Sequence, residues 1–257
     1  MRVEFLGCPM DILTMDETVD LARRSMRDRT SVRHVALNVA KLVNMRFDPV
    51  LASDVVTSDL VSIDGMGIVF AARALGVKVN ERVTGIDLFL NLMSVCGTEG
   101  FRPYLLGGTD RVVRQAAAEI ARMNSSISFA GVRDGYFTSE QEAQVVGEIR
   151  RSGADCLFIG MPTPRKERFL ATHKDLLGVP FIMGVGGSFD IVAGKTNRAP
   201  ARLQAFGLEW LYRIYQEPRR MWWRYAKTNT IFAVLILEAI AVRMISRRRH
   251  DGYVSSK

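Results

Sequence analysis

Several sequence patterns that mark common enzyme classes are absent from this chain of 257 residues. The glycine pairs in LLGGTD and VGGSFD lack the spacing of a Walker A loop or of G-x-G-x-x-G, which argues against a P-loop enzyme and a Rossmann dehydrogenase. The three cysteines form no C-x-x-C pair, so we expect buried, reduced thiols of a cytoplasmic protein, not a disulfide framework or a zinc site. The three histidines, His34, His173 and His250, are too dispersed to suggest a triad or a metal site.

The chain also lacks an Asp-x-Asp pair. Enzymes that expel a nucleotide diphosphate neutralise its charge with a metal held by carboxylates, or with cationic side chains and helix N-termini. Cations for the second route are present in Arg82, Lys166, Arg198 and the C-terminal arginines. We therefore expect neither a metal nor a cofactor.

Acidic residues are scarce near the C-terminus. Residues 213–249 contain nine Arg or Lys and two acids, a net charge of +7 against +8 for the whole chain. Together with Trp210, Trp222 and Trp223, this basic stretch suits an anionic membrane surface. We expect peripheral attachment to the inner face of the cell membrane and no nucleic acid partner. The alternative is a nucleic-acid-binding tail that stacks its aromatic rings on bases.

Long uninterrupted apolar runs are missing too. The most apolar segment, residues 230–245, is interrupted by Glu238 and Arg243. A membrane span needs about 20 apolar residues to cross about 30 Å. The segment therefore predicts a helix that lies in the membrane interface. A buried core helix and a contact within a homo-oligomer are the alternatives.

Six short apolar runs alternate with helical patterns along the chain. This alternation predicts an α/β fold with a Rossmann-like parallel sheet and helices on both faces. Continuous apolar runs are typical of strands that are covered on both sides. The predicted strands are 34–38, 60–64, 103–108, 127–131, 155–160 and 179–187.

Helical periodicity and end signals predict helices over 16–28, 110–123 and 139–153, the last opening with a capping box of Ser139 and Glu142. The composition changes near Arg198, where the basic and aromatic residues begin. We therefore predict an α/β domain over 1–197 and a helical, basic, membrane-binding appendage over 198–257.

Small and polar residues follow the predicted strands, where ligands bind in open parallel sheets. Asp64 ends a buried strand beside two glycines, a usual place for a general base. The alternative is that Asp64 caps the helix that begins near Met66. The glycines at 107–108 predict either a close approach to phosphate or a tight turn.

The order of several motifs resembles the WecG/TagA/CpsF glycosyltransferases over roughly residues 3–226. These motifs are NVAKL, SIDGMGIV, ERVTGIDL, YLLGG, IGMPTPRKERF, GVGGSFDIVAGKTNRAP and GLEWLYRIYQEPRR. The resemblance implies an inverting, metal-independent transfer of a sugar from a UDP-sugar to a polyprenyl-diphosphate-linked saccharide at the cytoplasmic membrane face. It also implies a role in surface polysaccharide synthesis.

The resemblance further implies roles for particular residues. Asp64 matches the catalytic base of the family, and the C-terminal arginines match an appendage that docks on the membrane and completes the active site. The candidate substrate-binding residues are Asn38, Arg82, Gly85, Asp87, Gly107, Gly108, Tyr136, Gly160, Lys166, Glu167, Gly186, Gly187, Asp190, Arg198, Arg213, Arg219, Arg220 and Arg224.

Two positions depart from the family pattern. Ala36 stands where the family often has Thr, and Lys166 stands where it has Gln. A cation in place of an amide indicates a different donor sugar, for example one with a carboxylate, or added stabilisation of the diphosphate. A sugar-nucleotide-modifying enzyme of the epimerase type is the alternative enzyme class, but it leaves the basic tail unexplained.

Overall fold

The centre of the fold is a six-stranded parallel sheet with the strand order β4-β3-β8-β7-β5-β6. The computed structural model describes residues 1–254, without the side chains of residues 201, 205, 220 and 246–254. Two further strands form a separate antiparallel hairpin at the N-terminus. The strands are β1 (Arg2–Phe5), β2 (Cys8–Asp11), β3 (Val32–Leu37), β4 (Leu60–Ile63), β5 (Pro103–Gly107), β6 (Gly131–Arg133), β7 (Cys156–Gly160) and β8 (Phe181–Gly184).

Helices connect successive strands of the sheet and continue beyond the last one. They are α1 (Met15–Asp28), α2 (Val39–Asn44), α3 (Pro49–Val56), α4 (Met66–Ala74), α5 (Gly85–Glu99), α6 (Asp110–Met123), α7 (Glu142–Ser152), α8 (Arg165–Leu177), α9 (Ser188–Val192), α10 (Ala201–Ala205), α11 (Glu209–Gln216) and α12 (Pro218–Val254). A short 3₁₀ helix, Ser139–Gln141, precedes α7.

Successive residues of the central strands face opposite layers of helices. In β5, Leu105 packs with the apolar residues of α1, α5 and α6. Its neighbours Tyr104 and Leu106 pack with those of α7 and α8 on the other face. Each strand therefore needs apolar residues at consecutive positions, which explains the continuous runs. The predicted parallel α/β sheet with helices on both faces is confirmed.

Two local predictions were wrong, and one element was missed. The fifth apolar run gives β6 at Gly131–Arg133, not at 127–131, because Ile127 and Phe129 pack against the core from the preceding loop. The capping box before α7 belongs to Thr138, whose N–H donates to Gln141 Oε1 at 3.0 Å, one residue before the predicted pair. The β1–β2 hairpin was not predicted, because RVEF and CPMD contain charged residues and form no continuous apolar run.

The apolar C-terminal segment belongs to one long helix, α12. Phe232, Leu235 and Ile236 pack against the core formed by β3, β4 and the helices beside them. Most of the Met221–Ile245 stretch is exposed, and it is long and apolar enough, by length and composition, to cross a membrane. A fully buried core helix is therefore excluded for this stretch.

Candidate active site

The carboxyl ends of the parallel strands place several predicted residues at one edge of the sheet. Asn38 follows β3, Asp64 follows β4, and Gly186 and Gly187 follow β8. The strands β3 and β8 are neighbours in the sheet although they are far apart in sequence. Ligands of open α/β sheets bind in crevices outside such strand ends. The residues around this edge are therefore the candidate active site.

Asp64 is held by the beginning of a helix that comes later in the chain. Its Oδ1 accepts a hydrogen bond of 3.0 Å from the backbone N–H of Gly85, the first residue of α5. The predicted alternative, a cap of α4, is wrong, because Gly65 occupies that position and no side chain caps it. Among described residues, none bonds to Asp64 Oδ2, and Asp64 is half-buried. One carboxylate oxygen is thus fixed while the other stays available.

Asn38 lies beside Asp64 and begins the helix α2. Its side-chain oxygen accepts a hydrogen bond of 3.0 Å from the N–H of Lys41. A Cβ atom at Gly65 would lie 3.3 Å from the Cβ of Asn38, so the glycine allows the two strand ends to approach closely. The oxygen of Asn38 therefore has a structural role, and its amide nitrogen is the group left for a ligand.

Two arginines are bound by carboxylates next to this site. Arg198 makes a two-pronged contact with Asp87, with distances of 2.6 and 2.7 Å. Arg82 contacts Glu209, the first residue of α11, at 3.2 Å. Although partial burial opposes it, hydrogen bonds from Arg198 and Thr84 hold the pKa of Asp87 below its usual value. The same pairing raises the pKa of Arg198, so both groups are charged at neutral pH.

Glu209 was not predicted as a site residue. It lies 127 positions from Arg82 along the chain. Glu209 belongs to the motif GLEWLYRIYQEPRR, which is one of those that resemble the WecG/TagA/CpsF glycosyltransferases. That motif was the only sequence signal that could have marked Glu209 as a site residue. The ion pair joins the C-terminal segment to the loop before α5.

A second group of charges lies at the end of β8. The Lys166 ammonium contacts Glu167 Oε1 at 2.7 Å, and the two side chains are 8% and 0% exposed. Thr163 donates to the same oxygen at 3.1 Å. A Cβ atom at Gly184 would lie 2.8 Å from Lys166 Nζ. The side chain of Lys166 therefore packs directly on the backbone at the end of β8, where a larger residue would not fit beside it. Lys166 therefore reaches the edge of the sheet where the other candidates lie.

Lys41 belongs to this group but was not predicted. Burial and the charge of Lys166 lower the pKa of Lys41 to about 7, while the charges of Glu167, Asp54 and Asp64 act in the opposite direction. His34 lies near both lysines, and burial lowers its pKa to about 3, so it is neutral. Its Nε2 is 2.8 Å from Ser62 Oγ, consistent with a structural role.

We expect the free energy of unfolding to depend on pH through Lys41. The folded pKa is about 7 and the ordinary value is 10.5. Between these values the unfolded chain keeps a proton that the folded chain has lost, so stability rises with pH. Replacing Lys41 with Met should remove that rise.

The measurement is the difference between the denaturation curves of the two proteins from pH 6 to pH 10. Subtraction is needed because burial raises the pKa of Cys8 to about 12, which acts in the opposite sense. Parallel pH profiles for wild type and Lys41→Met would contradict the assignment.

Packing explains the glycines at the carboxyl ends of β5 and β7. A Cβ atom at Gly107 would lie 2.5 Å from the carbonyl group of Gly160, and Gly107 has a φ of +133°. The N–H of Gly108 donates to Gly160 O at 3.1 Å. These contacts match the tight-turn alternative. By contrast, a Cβ atom at Gly186 or Gly187 would meet nothing within 4 Å, so this turn is open.

The remaining candidates lie farther out. Tyr136 is exposed, and Asp190 contacts Lys195 at 2.8 Å. Arg213, Arg219 and Arg224 are exposed, and within the described part of the chain no carboxylate pairs with them. The side chain of Arg220 is outside the described residues, as are those of residues 247–250, which include His250. Of the predicted C-terminal cations, the structure thus brings Arg198 to the site and leaves these three at the surface.

The profile of the glycosyl transferase WecG/TagA/CpsF family matches residues 3–246 of this chain. The match spans the sheet, the candidate site and most of α12. It supports a glycosyltransferase of surface polysaccharide synthesis, which in general uses a sugar donor and a lipid-linked acceptor. The chain belongs to the WecG/TagA/CpsF glycosyltransferase family.

Proposed function

We propose that this protein transfers a sugar from a UDP-sugar to a polyprenyl-diphosphate-linked saccharide, with inversion and without a metal. The observation that carries the proposal is the state of Asp64. One of its oxygens is fixed by Gly85 N–H and the other has no hydrogen-bond partner among the described residues, while the charge of Asp64 acts on Arg198 and Lys41. This arrangement suits a general base beside a charged leaving group.

The proposed reaction is a single displacement. Asp64 Oδ2 takes the proton of the acceptor hydroxyl while the hydroxyl oxygen attacks the anomeric carbon of the donor. The bond from that carbon to the diphosphate oxygen breaks, and its electron pair leaves with UDP. The hydrogen bond from Gly85 keeps the carboxylate oriented, which lowers the entropic cost of reaching the transition state.

Charge on the departing UDP is balanced by side chains in this proposal. Arg82 precedes α5, Arg198 contacts Asp87 of α5, and Lys166 lies against Gly184 at the end of β8. Cations fixed before the reaction stabilise developing negative charge without reorganisation. Arg213, Arg219, Arg220 and Arg224 stay candidates for contact with the acceptor diphosphate at the membrane surface.

Attachment to the membrane is assigned to the exposed face of α12. Trp222 and Trp223 are 64% and 72% exposed, and Leu237 is 66% exposed. Peripheral binding to an anionic leaflet is favoured by exposed tryptophan at the headgroup level, by exposed apolar residues and by basic residues on the same helix. The division into a domain over 1–197 and an appendage over 198–257 remains part of the proposal.

The direct test is an assay with a panel of radiolabelled UDP-sugars and a synthetic polyprenyl-diphosphate sugar, with and without a chelator. We expect transfer with at least one donor and no effect of the chelator. Conversion of a free UDP-sugar without acceptor would favour the epimerase alternative. Salt-dependent oligonucleotide binding without vesicle binding would favour a nucleic acid partner.

We expect Glu209→Gln to bind UDP more tightly than the wild type. Glu209 competes with the diphosphate for Arg82, and a partly exposed ion pair contributes about 0.2–1 kcal/mol. The gain should therefore be up to about fivefold in Kd, measured by calorimetry. Glu119→Gln is the matched control, because it removes an ion pair on α6 away from the site. Weaker binding by Glu209→Gln would mean that Glu209 positions Arg82 for the ligand.

A further inference from the structure

The side-chain amine of Lys41 has no carboxylate of the described residues in direct contact with it. Within the described part of the chain, its ammonium forms neither an ion pair nor a hydrogen bond. The other buried or half-buried cations around it are paired: Arg33 with Asp54, Lys166 with Glu167, Arg198 with Asp87 and Arg82 with Glu209. Because burial and the charge of Lys166 disfavour the protonated form of Lys41, an anion bound at this position would favour that form and gain an ammonium as its partner.

The position of Lys41 relates it to the proposed donor site. It lies in the first turn of α2, and its N–H is bound by Asn38 at the end of β3. Asp64 is close enough for its charge to act on Lys41, and so is Lys166, which crosses the neighbouring strand end at Gly184. The backbone of Lys41 and the side chain of Lys166 therefore lie at the ends of the neighbouring strands β3 and β8, and Glu167 is in direct contact with Lys166.

We propose that Lys41 and Lys166 form an anion-binding subsite for the sugar donor. The inference rests on the proposed function and adds a specificity-determining residue to it. The anion is either the diphosphate of the donor or a carboxylate on its sugar. Both are recognised by the same chemistry, two ammonium groups in a partly desolvated site.

The test measures binding of UDP, UDP-glucose and UDP-glucuronate to the full chain by calorimetry. Lys41→Gln should weaken binding about tenfold or more, which corresponds to loss of one charge-assisted contact. An equal loss for all three ligands identifies the diphosphate as the anion. A loss confined to UDP-glucuronate identifies the sugar carboxylate.

Two further variants separate a lost contact from a damaged fold. Lys41→Arg keeps the charge and should retain most of the affinity. Lys174→Gln removes an exposed lysine from α8, the helix that carries Lys166, and should bind like the wild type.

Proton uptake on ligand binding provides a further test. A lysine with a purely structural role would not change its protonation when the ligand binds. An anion placed beside Lys41 raises its affinity for a proton, so at pH 8 the wild type should take up protons on binding. Calorimetry in buffers of different ionisation enthalpy measures this uptake, and Lys41→Gln should abolish it. The other ionisable groups near Lys41 are Cys8, His34, Asp54, Asp64, Lys166 and Glu167.

The outcomes distinguish this inference from the proposed function. Unchanged affinity of Lys41→Gln for all three ligands, with the wild type binding them, would overturn the subsite and leave the glycosyltransferase proposal intact. Failure of the wild type to bind any uridine nucleotide would instead refute the proposed donor.

Discussion

Asp64→Asn should lower the rate of sugar transfer by on the order of 10²–10⁴, the usual effect of removing a general base. Asparagine keeps the size of the side chain, and its carbonyl oxygen can still accept the hydrogen bond from Gly85 N–H. The variant therefore retains the local structure and loses the oxygen that takes the proton. Donor binding should change little, so the loss is expected in kcat.

The measurement is turnover with a lipid-linked acceptor under saturating donor, together with the affinity for UDP. Asp59→Asn is a suitable control, because Asp59 lies before β4 and accepts from the N–H of Arg33 at the opposite end of the strand. Near-normal turnover of Asp64→Asn would show that another group acts as the base.

Removing the exposed apolar face of α12 should weaken binding to membranes. The structure allows a sharper change than truncation, because Phe232, Leu235 and Ile236 on the inner face of α12 cover the core. A triple variant, Trp222→Ser, Trp223→Ser and Leu237→Ser, changes only side chains that are exposed. We expect at least a tenfold loss of binding to anionic vesicles, since the basic residues alone keep part of the attraction.

Vesicle sedimentation and activity on a membrane-embedded acceptor test this expectation. Met123→Ser with Leu176→Ser is the matched control, because these exposed apolar residues belong to α6 and α8. Activity on a water-soluble acceptor should survive in the triple variant. Unchanged vesicle binding would refute the assignment, and a change from oligomer to monomer would show that this face joins copies of the chain.

Much of the fold was predictable because the signals are local. The apolar runs at β3, β4, β5, β7 and β8 are continuous, and a strand covered on both faces requires that pattern. The helix Asp110–Met123 was predicted with its observed ends, since Thr109 caps it and apolar residues repeat with helical spacing. The boundary errors fall at β6 and before α7, where short elements have weak patterns.

The sequence by itself determined the parallel sheet with helices on both faces, and it made Asp64 and the other strand-end residues candidates for the site. Only the tertiary structure decided which groups touch there. It placed Gly85 N–H on Asp64, joined Arg82 to Glu209 across 127 positions and brought Lys41 beside Lys166. The physical reason is that strand and helix patterns depend on neighbours along the chain, whereas ion pairs and unpaired charges depend on how distant elements pack.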